Sequence, residues 1–90
     1  MDFIRRVQNF VQEAEPNLQH ITNEDATKLA LVFPFLRVLG YNTTNPAEVM
    51  PEYTADVGTK QGEKVDIAIQ MNDEPVILIE VKTYGTSQLT

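Results

Sequence analysis

The stretch VDIAIQMNDEPVILIEVK, Val65–Lys82, decides the fold. Val65, Ile67 and Ile69 alternate with other residues, as do Ile77, Ile79 and Val81, and a polar NDE separates the two runs. A period of two is the mark of strands with one apolar face, so strands are expected over 64–70 and 76–82 with a tight turn between them. Residues directly opposite in an antiparallel pair share a face. A three-residue loop of Asn72, Asp73 and Glu74 sets Asp66 opposite Glu80 and Lys64 opposite Lys82. It also places Val65, Ile67 and Ile69 against Val81, Ile79 and Ile77, giving one continuous apolar face. A two-residue loop sets Asp66 against Ile79 and spoils both faces. The apolar pattern therefore selects the register that brings two carboxylates together.

Ahead of the hairpin, Phe3, Ile4, Val7, Phe10, Val11 and Ala14 recur at helical spacing and predict an amphipathic helix over 3–14, ended by Pro16 and Asn17. Leu18 to Ile21 reads as a short connection. Thr22 and Asn23 offer capping oxygens, and Glu24 and Asp25 fall in the first turn, where the helix dipole favours acids. Ala26, Leu29, Ala30, Phe33, Leu36 and Val38 carry a second helix over 23–39, which Gly40 is placed to stop. Pro34 removes a backbone donor and is expected to kink it. NTTNP, 42–46, is a loop by composition. A strand over 47–54 follows, where Pro51 implies an edge position or a bulge, and 55–63 reads as a turn. The order of helix, helix and three strands predicts one α+β domain over 1–90, with a mainly antiparallel sheet.

A chain of 90 residues accommodates one small domain, and a hydrophobic content of 42% argues against disorder. The absence of cysteine excludes disulfides and thiolate metal sites. No apolar run is long enough to span a bilayer, and MDFIRRVQNF lacks a signal-peptide core, so a cytoplasmic protein with no membrane partner is expected. The net charge of −6 weighs against a simple DNA-binding module, which shows itself as a basic patch. It weighs less against a nuclease, because a metal held by acids supplies positive charge locally.

Two carboxylates side by side repel, and one stays protonated unless a cation sits between them. An all-oxygen donor set suits Mg²⁺ or Mn²⁺, which keep several waters and accept phosphate oxygens. Lys82, two residues past Glu80 and on the same face, is in place to orient a water or offset charge developing on a phosphate. Together these residues make a phosphodiester-hydrolysis site. The other reading of Asp66, Glu80 and Lys82 is a cross-strand ion-pair cluster on a solvated face, and spacing alone favours it.

The longer pattern shifts that balance. The hairpin resembles the core of the PD-(D/E)XK nuclease superfamily, in which an Asp opens one strand of a hairpin and E-x-K closes the next. TKLALVFPFLRVLGYN (27–42), PAEVMPEYTADVGTKQGEKVDIAI (46–69) and PVILIEVK (75–82) are similar, in order and spacing, to the N-terminal nuclease domain of type I restriction enzyme R subunits. They look closer still to stand-alone bacterial and phage proteins predicted to be type IV-like restriction endonucleases. The resemblance implies a restriction-endonuclease-like α/β core and Mg²⁺- or Mn²⁺-dependent hydrolysis of DNA. It implies Asp66 and Glu80 as metal ligands, the Val81 backbone carbonyl completing the coordination, and Lys82 as the catalytic lysine. Glu24 stands where many members carry an additional acid, and it is equally an ordinary first-turn helix acid. Motor or specificity subunits are the protein partners that such systems imply.

One departure qualifies the resemblance. The superfamily core carries a further helix and strand after the E-x-K, often with a Gln and a Tyr on that helix. Here KTYGTSQLT (82–90) follows, with Gln88 early for that motif, so an incomplete core is expected. Open edge strands in such a core favour self-association into a homo-oligomer. A non-catalytic interaction or assembly module that retains a nuclease-like fold is the alternative this leaves open.

The remaining candidates carry less. GTKQGEK (58–64) lacks the order of a phosphate-binding loop and reads as a hairpin turn, with Lys60 and Lys64 as candidate contacts to a DNA backbone. His20 has no triad partner at a telling spacing and reads as a surface residue. Glu52 reads as a surface acid, Tyr41, Tyr53 and Tyr84 as packing or rim residues, and Arg5 and Arg6 as the solvated side of the first helix.

Overall fold

The computed structural model describes residues 2–57 and 60–83. Two helical passages precede a three-stranded antiparallel sheet, which makes a small α+β fold. The described residues fall into two compact units, one of 2–41 with 81–83 and one of 42–80. Tyr84 and Gln88 lie outside the described residues.

In the helical unit, α1 spans Phe3–Ala14, with the Asp2 carboxylate accepting from the Arg5 N–H at 2.8 Å. The chain does not stop helical winding at Pro16 as expected. It tightens into a 3₁₀ turn over Glu15–His20, in which Pro16 occupies the first turn, where its missing N–H has no partner to lose. The second passage comprises α2 (Glu24–Thr27), a π-helical segment (Lys28–Val32) and α3 (Phe33–Val38). Asn23 caps it, its side-chain oxygen accepting from the Ala26 N–H at 2.7 Å. The Phe33 N–H reaches back to the Lys28 carbonyl, five residues away, and Pro34 then sits at the start of α3. The disruption expected from Pro34 is thus taken up as a wide turn, which resettles the hydrogen-bond ladder around the missing donor. At the far end Gly40, with φ 102°, closes the helix: its N–H bonds the Arg37 carbonyl and that of Tyr41 bonds the Leu36 carbonyl. This is the paired capping pattern that a left-handed glycine allows. Ala14, Ile21 and Leu36 are buried, and the Phe10 and Phe35 rings meet at 5.8 Å between centroids.

The sheet unit begins with a loop that is held by its own asparagines. Asn42 accepts from the Thr44 N–H and hydroxyl, and Asn45 accepts from the Ala47 N–H, so short polar side chains satisfy turn donors. The Glu48 carboxylate accepts from the Asn42 N–H, and Gln70 ties the loop to the sheet through the Pro46 and Glu48 carbonyls. Strands β1 (Val49–Val57), β2 (Lys60–Met71) and β3 (Glu74–Ile79) follow in sheet order β1-β2-β3, all antiparallel. The expected turn over 55–63 shrinks, because β1 and β2 extend into it across an irregularity between Ala55 and Val57.

The last hairpin keeps the expected core register by a different device. Ile67 pairs with Ile79 and Ile69 with Ile77, but the turn has two residues, not three. Asn72 and Asp73 take φ values of 53° and 66°, the doubly left-handed turn that matches strand twist. The extra residue sits in the strand: Gln70 pairs with Pro75, so Val76 is bulged out before Ile77. Expecting a two-residue loop to spoil both faces overlooked that one bulge restores the parity. The strand also ends sooner than expected. Pairing stops at Ile67 and Ile79, so Val65–Val81 and Lys64–Lys82 do not form, and Val81 belongs to the helical unit. Val49, Ile67, Ala68 and Ile69 are essentially inaccessible, whereas Val76, Ile77 and Leu78 on β3 are about half exposed.

Candidate functional site

Asp66 lies in β2, between buried Val65 and buried Ile67, and is itself half-buried. Its strand is the middle one, so its position is fixed from both sides. On one side Pro51 pairs with Ile67 and Tyr53 with Val65, which leaves Glu52 at the step facing Asp66. On the other, Ile67 pairs with Ile79, and the next step would set Glu80 against Asp66. The ladder of β2 with β3 ends at the Ile67–Ile79 pair, so Glu80 follows that ladder and is not part of it.

Glu52 and Glu80 both stand at irregular points of the backbone. Glu52 has φ 52°, a left-handed conformation inside a strand, while Glu80 is the first residue past the end of β3. Glu52 is exposed, as its reading as a surface acid expects.

The other candidates are placed as follows. Glu80 and Lys82 are exposed and Val81 is buried; none of the three lies on a strand, so the E-x-K follows β3 and does not close it. Glu24 is the first residue of α2, exposed, directly after the Asn23 cap. Glu24, Val81 and Lys82 belong to the helical unit, Asp66 and Glu80 to the sheet unit. Lys64 is exposed on β2 opposite Thr54. Lys60 opens β2, and its side chain lies outside what the structure describes.

Chemically, Asp66 and Glu80 offer carboxylate oxygens. That set suits a hard divalent cation that retains most of its waters, so two carboxylates and a neighbouring carbonyl are an adequate protein share for Mg²⁺. Among the described residues, no group of three or more His, Cys, Asp or Glu side chains is arranged to hold a metal. Glu52, Asp66 and Val81 each already take part in an interaction within the fold. Comparison with protein-family models, with curated proteins and with solved structures returned no match.

Proposed function

We propose that this chain is a divalent-metal-dependent endodeoxyribonuclease domain of restriction type, hydrolysing DNA phosphodiester bonds. The observation that supports the reading is the register of β2 and β3, in which Ile67 pairs with Ile79, the sequence neighbours of Asp66 and Glu80. The resemblance of 27–42, 46–69 and 75–82 to restriction nuclease domains supports it. Asp66 and Glu80 would hold Mg²⁺ or Mn²⁺, with the Val81 carbonyl as a further oxygen donor. When bound, the ion supplies positive charge to a phosphate and makes a water more acidic. Asp66, fixed on the middle strand, orients its carboxylate, and Glu80 brings the second carboxylate from the chain leaving β3. Lys82, two residues past Glu80 in sequence, would orient the attacking water or offset charge gathering on the phosphate oxygens. DNA is the proposed partner, with Lys60 and Lys64 as backbone contacts. Cleavage of plasmid DNA with Mg²⁺, tested in wild type and in Lys82→Ala, is the direct assay of this activity. Motor or specificity subunits are the further partners the reading suggests.

One observation favours a second reading, a non-catalytic assembly module. Val76, Ile77 and Leu78 are each 44–55% exposed on an edge strand. An apolar open edge is a template for pairing with another chain. Absence of cleavage under every divalent cation, together with self-association in light scattering, would favour it. Among the described residues, no helix is long and apolar enough to cross a membrane.

A further inference from the structure

We draw no further inference here: the strongest candidate, the open edge and half-exposed apolar side chains of β3 at Val76, Ile77 and Leu78, is an unpartnered face, and nothing in the structure shows what covers it.

Discussion

Asp66 is the residue on which the proposed site turns, a half-buried acid on the middle strand of the sheet. Glu52 takes a backbone conformation that costs an L-residue roughly 1–2 kcal/mol. Glu80 lies just past the end of pairing. Lys82 is assigned to the chemistry and not to metal binding, so its removal separates the two. Lys82→Ala is expected to retain Mn²⁺ affinity while the rate of DNA cleavage falls by about 10²-fold or more, measured on a supercoiled plasmid. Loss of Mn²⁺ binding in that variant would instead make the ammonium part of the structural frame. Glu24 admits a similar separation. Its exposed place after the Asn23 cap makes it a first-turn acid, so Glu24→Gln is expected to cost about 0.3–1 kcal/mol in urea denaturation with Mn²⁺ affinity unchanged. A clear fall in Mn²⁺ affinity would assign Glu24 to the site.

At the scale of elements, the hairpin shows how far sequence reasoning reaches. The facing of Ile67 with Ile79 was legible because a one-residue slip would turn every apolar side chain of a strand over. The turn was not legible, since a two-residue turn with a bulge at Val76 and a three-residue loop give the same core register. The first helix was readable to its bounds from its apolar spacing, and Gly40 as a stop from its freedom at positive φ. The wide turn over Lys28–Val32 was foreseeable only as some disturbance near Pro34. The end of β3 was hidden because Val81 continues the alternation yet belongs to the helical unit. The turn geometry has a direct test. Asp73, at φ 66°, sits in a conformation that glycine adopts without penalty. Asp73→Gly is expected to raise stability by roughly 0.5 kcal/mol and Asp73→Val to lower it by roughly 1 kcal/mol or more. Equal stability of the two variants would contradict the left-handed turn and, with it, the bulge that restores the register.

At the scale of the whole molecule, charge sets the terms on which any nucleic acid is met. A chain with a net charge of −6 repels a polyanion at long range, so under the proposed function affinity for DNA would come from a cation held by Asp66 and Glu80. The account therefore expects no retardation of DNA in a gel with chelator present, and retardation once Ca²⁺ replaces Mg²⁺ to permit binding without turnover. Binding that is indifferent to chelator would point to contacts elsewhere, with Lys64 the first to test. The claim beneath all of this is that Asp66 and Glu80 together form a divalent-cation site. Calorimetric titration with Mn²⁺ measures it most directly, comparing wild type with Asp66→Ala. The account predicts binding to the wild type and a loss of at least about tenfold in affinity, or about 1.4 kcal/mol, in the variant. Absence of binding to the wild type, or the same affinity in both proteins, would contradict it.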